Sequence, residues 1–270
     1  MAKFSDKRSR YFAKTKPYRE IIDQLLKQEN VFRDQIWQGG SGAHEKRIIL
    51  VENMVKCASG YIILSEISQS MMEIKNEEAL NEGRKSLYKS IVYLEDLVGF
   101  YVDAAFSEYE KRLADLDFLN PAQRYLLVRK IGLTIQLLEC AYGDTTKWRW
   151  AFVDLEGRYA AVAKNIFDLK AAVLNTDPRS PWYEPTVSHL RLIRRLLRRA
   201  ADRYRQKYEL SSGHIDDFSR SIEYLQSLRR IHILMNEREE AEQIKKQLDI
   251  WSNKLETDIK RKQEIPPLNT

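Results

Sequence analysis

The sequence predicts an all-α protein, with about eight long amphipathic helices in an irregular antiparallel helical array or elongated bundle. Three observations carry that prediction. Apolar residues recur at helical spacing along most of the 270 residues. Only ten Gly and seven Pro punctuate the chain. No stretch alternates with the period of two that a half-buried strand requires. Hydrophobic residues at 43% and charged residues at 31% belong to a folded chain rather than a disordered one.

Residues 1–20 read as a basic N-terminal arm. Pro17 suits a first helical turn. The stretch "YREIIDQLLKQENVFRDQIW" then places Ile21, Ile22, Leu25, Leu26, Phe32 and Ile36 on one broad side, before "GGSG" at 39–42 predicts a hinge. A long apolar helix follows from Ala43 to Ile74. Asn76, with Glu78 and Ala79 behind it, restarts a helix that continues to Leu116. "NPAQ" puts Asn120 at an N-cap, Pro121 at the first helical position and Gln123 where a capping box requires it. That helix stops at Gly143. Asp144 or Thr145 caps the next, which runs as one helix to Pro178. Ser180 and Pro181 open a basic helix reaching Leu210, and "SSGH" breaks it. Another helix then leads to a capping box from Asn236 to Glu239 and a last helix to Lys262, with 263–270 a flexible tail. Short turns favour antiparallel neighbours, so 21–262 reads as a single α-helical domain.

Gly60, Gly83, Gly99, Gly132 and Gly157 fall within helical pattern, which points to close approach of other helices. The hairpin texture is similar to tetratricopeptide arrays, but their repeat of about 34 residues does not superpose.

A search for catalytic chemistry finds none. "GGSG" has no strand before it and no GK[ST] after it, and GxSxG is absent. His44, His189, His214 and His232 form neither HxxxH nor ExxH pairs. Cys57 and Cys140 lie in helical pattern without a CxxC partner and read as buried thiols. The expectation is no catalytic, cofactor-binding or metal-ligating residue, no cofactor, and no enzyme activity. The most apolar run, "CASGYIILSEI", is far short of the roughly 20 residues of a spanning helix, so no transmembrane span is expected. The basic first residues hold no apolar run, which places the chain as given in the cytoplasm, or in the periplasm if a leader was removed.

The net charge of +6 comes from two segments, 1–20 with seven Lys/Arg against two acids, and 181–210 with eight against three. In "HLRLIRRLLRRAADRYRQKYE", Leu190, Ile193, Leu197, Ala200, Ala201, Tyr204 and Tyr208 gather on a core side. Arg191, Arg194, Arg195, Arg198, Arg199, Arg203 and Arg205 are expected to spread over the rest as one exposed face, to be covered by an acidic partner, protein or phosphate, or by acidic helices elsewhere in this same chain. Upstream, Trp148, Phe152, Leu155, Tyr159, Val162, Ile166 and Leu169 follow helical spacing beside Arg149 and Trp150. The last helix carries a narrow stripe of Ala241, Ile244, Leu248, Trp251, Leu255 and Ile259, suited to docking on its own domain or pairing with another chain. Trp and Arg dominate binding hot spots. The candidate partner-binding residues are therefore Trp148, Arg149, Trp150, Trp182, Arg191, Arg194, Arg195, Arg198, Arg199, Arg203 and Trp251.

"TKWRWAFVDLEGRYAAVAKNIFDLK" and the following "NTDPRSPWYEPT", within 144–186, resemble the α-helical flagellar coiling or sheath proteins of spirochaetes. The resemblance implies a non-enzymatic protein that coats a periplasmic flagellar filament and helps set its curvature and motility, with a filament or assembly subunit as partner. It carries over no functional residue, and the missing leader is a departure, since sheath proteins are exported. The expected function is a non-enzymatic structural or scaffold protein acting through protein–protein contacts. The alternative is an anion-binding helical module for nucleic acid or a membrane surface, although no nucleic-acid motif supports it.

Overall fold

A computed structural model of the protein describes residues 2–39, 41–143 and 148–264. Among them the helical periodicity becomes ten α-helices and no strand. There are more helices than expected because two long stretches break internally. The chain divides into two compact units, Met1–Phe100 with Lys111–Phe152, and Tyr101–Glu110 with Val153–Thr270.

In the first unit, α1 (Ala2–Trp37) packs on α2 (Ala43–Met72), and α2 on α3 (Glu77–Val98). The basic segment 1–20 is no separate arm: the helix runs through it from Ala2 and continues past Pro17. Pro17 is exposed, so the carbonyl it leaves without an N–H partner faces water. Asn76 caps α3 as expected, its side chain accepting from Ala79 N at 3.0 Å. That helix ends at Val98, not near Leu116. Gly99 takes a φ of +83°, a left-handed conformation that ends a helix readily only at glycine, and its N–H donates to Glu95 O at 2.7 Å. Gly99 is thus a C-cap rather than an interior packing glycine.

After α4 (Phe106–Ala114) comes α5 (Pro121–Tyr142), which packs on α2 and α3. Its capping box is present: Gln123 N donates to Asn120 Oδ1 and Asn120 N to Gln123 Oε1, both at 2.9 Å. Gly143 ends it. Asp144 and Thr145, the expected caps of the next helix, lie outside the described residues.

Ile22, Met54, Cys57, Leu64 and Ala79 form a core cluster in this unit. Burial pushes the Cys57 thiol up to about 11. Cys140, expected to be buried as well, is exposed, and both cysteines are free. Helix α2 is long and apolar enough to cross a membrane, where the sequence reading expected no such span, and 61% of its most apolar window is buried inside the structure.

In the second unit, α6 (Arg149–Asn165) enters at Val153. Every residue from Tyr159 to Phe167 is buried. The expected single helix to Pro178 breaks after Asn165, because Asp168 starts a new one: its Oδ1 accepts from Lys170 N at 3.0 Å and Ala171 N at 2.9 Å, opening α7 (Leu169–Asn175). Then come α8 (Tyr183–Lys207), a π-helical turn at Tyr208–Ser212, α9 (Ile215–Leu234) and α10 (Arg238–Glu264). Helix α9 packs on both α8 and α10. Two expected caps differ. Trp182, not Ser180, precedes the first turn of α8, and Ser180 Oγ accepts from Trp182 N at 3.2 Å. Asn236 has a φ of +59°, which suits the turn leaving α9, so it does not act as the N-cap of α10.

Gly157 is an interior glycine that packing requires. A Cβ there would lie 2.5 Å from Tyr204 Cε2 and 2.8 Å from the Tyr204 and Tyr224 hydroxyls, whose rings stack at 5.5 Å. At Gly83 the nearest atoms are 3.4 Å away, an ordinary contact. Helix propensity favours Ala over Gly by about 1 kcal/mol at both sites. Overpacking of two rigid rings, about 1 to 3 kcal/mol, outweighs it only at Gly157. Urea denaturation should therefore show Gly157→Ala destabilised, and Gly83→Ala neutral or stabilised.

Candidate functional site

The arginine-rich helix is positioned by its apolar side: Leu190, Ile193, Leu197, Ala200, Ala201 and Tyr204 of α8 are buried, as the spacing predicts. Tyr208 lies beyond the helix in the π-helical turn, stacked on Phe218 at 5.0 Å, with its hydroxyl donating to Asp258 at 2.8 Å. The other face is not the continuous exposed surface expected of it. Arg194 donates to Glu237 at 2.7 Å and Arg198 to Gln247 at 2.5 Å. Arg199 and Arg203 grip the two oxygens of Glu156, each at 2.7 Å. Arg205 pairs with Glu209 at 3.3 Å and lies 5.1 Å over the Trp251 ring. Lys207 lies 3.4 Å from Asp154 and 3.1 Å from Asp217. Arg191 and Arg195 are exposed, and neither has an ion pair among the described residues.

The acids that hold this face come mainly from α6 and α9. Asp154 also accepts from the Tyr204 hydroxyl at 3.1 Å. Burial, and then the charge of Asp154, pushes the Tyr204 phenol well above its usual range, so it stays a neutral donor. Ser212 donates to Asp217 at 2.5 Å. Glu156 escaped the sequence reading as one more surface acid. Its place four residues from both Phe152 and Ala160, on the apolar side of α6, was the available signal.

The aromatic candidates fall in both units. In the first, Trp148 is half-buried, 6.4 Å from the Tyr142 ring and 4.5 Å from the Arg84 guanidinium, while exposed Arg149 lies 5.1 Å over Trp150. In the second, Trp182 is half-buried at the start of α8, and Trp251 is buried against Phe218. The stripe of α10 thus docks on its own unit, with Ala241, Ile244 and Leu248 buried beside Trp251.

A second ionic group sits at the far end of α6. Lys164 is buried, donates to Ala104 O at 3.1 Å and lies 4.4 Å over the Tyr109 ring. Asn165 Nδ2 donates to Tyr101 O at 3.1 Å. Burial pushes the ammonium of Lys164 down to about 8, with Asp103 opposing. Among the described residues no cluster of His, Cys, Asp and Glu is placed to hold a metal ion.

A family model matches residues 7–259. The chain belongs to the TP0443 family. Membership in the TP0443 family is consistent with a spirochaete protein. No curated protein and no solved structure matches the chain.

The ion pairs and the buried Lys164 lead to three predictions. Glu156→Gln removes the carboxylate that Arg199 and Arg203 each meet at 2.7 Å, with Arg203 only 17% exposed, and should cost about 2 to 4 kcal/mol in a denaturant titration. Arg191→Ala and Arg195→Ala should each shift stability by less than about 0.5 kcal/mol. For Lys164 the folded pKa of about 8 lies below the ordinary lysine value of 10.5, so the unfolded chain holds more protons between them. The penalty for burying the ammonium is fully present below pH 8. Stability should then rise with pH above 8, by at most about 1.4 kcal/mol per pH unit, until tyrosines ionise in the unfolded chain near pH 10. Lys164→Met should flatten that rise, as read by thermal melts between pH 7.5 and 9.5.

Proposed function

We propose that the protein is a non-enzymatic helical scaffold that works through protein–protein contact, with the outer ridge of α5 as its docking edge. The observation that carries this reading is the exposure of Leu126, Leu133 and Leu137, at 48%, 49% and 54%, on a helix whose other side is core. Their steps of seven and four residues are those with which one helix meshes with another. Around them the exposed face carries Gln123, Arg129, Lys130, Gln136 and Cys140, and no acid. Lys130 is already held by Glu52 at 2.7 Å, which leaves Arg129 as the charge at the rim.

A second copy would bring like charges together on such a face, so the fitting occupant is a partner's amphipathic helix edged by acids. The non-enzymatic reading is supported by how the second unit uses its ionisable groups, in ion pairs that hold helices. The finer reading makes the partner a subunit of a periplasmic flagellar filament, and so puts the protein in the periplasm. It is supported by the resemblance of 144–186 to flagellar coiling and sheath proteins, and by a family consistent with a spirochaete protein.

Co-sedimentation with isolated spirochaete flagellar filaments tests both layers. Wild-type protein should pellet with filaments, while Leu133→Glu/Leu137→Glu should stay in the supernatant with unchanged circular dichroism and melting temperature. Failure of the wild type to pellet removes the filament reading, and a variant that pellets equally removes α5 as the edge.

A further inference from the structure

The end of the first unit where α1 finishes, α2 begins and α3 finishes holds a pocket of about 340 Å³. Arg33, Ile36 and Trp37 come from the last turns of α1, Arg47 from the second turn of α2, and Tyr93 and Asp96 from α3. This volume suits a small molecule rather than a peptide.

The wall beneath the pocket is fixed. Glu29, with a side chain only 2% exposed, accepts from the Tyr93 hydroxyl at 2.6 Å and from Lys89 Nζ at 2.9 Å. Because Tyr93 spends its hydroxyl on Glu29, it offers the pocket its ring. Burial and this bond push its phenol up, so the ring remains a neutral wall.

The two guanidinium groups are not spent in that way. Glu29 lies one turn before Arg33 on α1, yet it is taken by Lys89 and Tyr93. Arg33 has no ion pair among the described residues. Arg47 makes only a long bond, 3.4 Å, to Ala43 O in its own helix. The lining carboxylate, Asp96, lies within 4.0 Å of neither guanidinium's nitrogens among the described residues. Trp37 completes the mouth with its side chain out in solvent, at 92% exposure. An indole so exposed beside two uncommitted arginines is an unsatisfied arrangement: a flat face for stacking and donors shaped for a carboxylate or phosphate.

We propose that this pocket binds a small organic anion carried on a flat ring, with Arg33 and Arg47 taking the anionic oxygens and the ring lying against Trp37, Tyr93 and Ile36. Two guanidiniums against one carboxylate leave a net charge of one at the lining. The site therefore selects a monoanion such as an aromatic carboxylate over a dianion such as a phosphate monoester. Asp96 turns away a second negative charge and accepts from any donor on the ring. The site uses none of the α5 ridge, so it stands or falls apart from the scaffold reading.

Saturation-transfer NMR on the full chain, with benzoate, phenyl phosphate, acetate and benzylamine as probes, tests the proposal. Benzoate should bind saturably and more tightly than phenyl phosphate, acetate should bind at least about tenfold more weakly for want of the ring, and benzylamine should not bind. Arg47→Leu and Trp37→Leu, both at the pocket rim, should each weaken benzoate about tenfold or more while melting temperature and circular dichroism stay as in the wild type. No saturable binding of benzoate, equal binding of benzylamine, or benzoate binding unchanged in both variants would overturn the proposal. Phenyl phosphate binding more tightly than benzoate would overturn the monoanion selectivity. If either variant loses its fold, Arg47→Lys keeps the test alive: it retains the charge but not the forked geometry, and must still weaken benzoate.

Discussion

Helix α6 is enclosed along its second half, with every residue from Tyr159 to Phe167 buried, and this enclosure sets the terms for the rest of the second unit. A helix surrounded on all sides is normally apolar all round. This one carries buried Glu156, Lys164 and Asn165 beside half-buried Asp154, and a buried charge without a partner costs several kcal/mol. Each must be answered from a neighbouring element. The carbonyls of Tyr101 and Ala104 answer Asn165 and Lys164 at one end, which explains why the short segment Tyr101–Glu110 belongs to this unit although its chain neighbours belong to the other. Arg199, Arg203, Lys207 and Tyr204 answer Glu156 and Asp154 at the other.

The arginine helix takes its character from that requirement. A buried ion pair adds little net stability over an apolar pair of the same volume, because desolvation offsets the Coulomb gain, but its geometry is exacting. Glu156 receives one guanidinium on each oxygen from residues one turn apart on α8, which ties the rotation of α8 about its axis to α6. Gly157, next in sequence, lets the Tyr204 ring approach the α6 backbone where a methyl group would collide. Polar register and steric fit therefore select one arrangement together.

What was legible in the sequence is mostly local, although the expected caps at Ser180 and Asn236 are local too and differ. The Asn120 capping box, the Asn76 cap, the stop at Gly143 and the buried side of α8 are local signals, closed within a few residues, and all are present. The breaks at Gly99 and Asp168 were missed because helical periodicity continues across them. Apolar spacing describes which side of a segment is buried, and two short helices in succession can share that spacing. The partners of the arginines were beyond any local reading: Arg194 and Glu237, Arg198 and Gln247, and Arg203 and Glu156 lie 43, 49 and 47 residues apart. The pocket residues Arg33, Arg47 and Tyr93 are likewise distributed over three helices.

The two basic segments that account for the net charge are consequently not equivalent. Counted by residue they carry the same excess, yet most of the charge on α8 is neutralised within reach of its own acids. On α1, Arg8, Lys14 and Arg19 are exposed and have no ion pair among the described residues. An ion pair closed at 2.7 Å presents little field a Debye length away, about 8 Å at physiological salt, whereas an unpaired exposed base keeps its own. Both helices therefore keep exposed bases without an ion pair among the described residues, Arg8, Lys14 and Arg19 on α1 and Arg191 and Arg195 on α8, although α8 has the denser sequence. An arginine-rich stretch measures how much anionic charge must be nearby, and only the fold decides whether the chain has already supplied it.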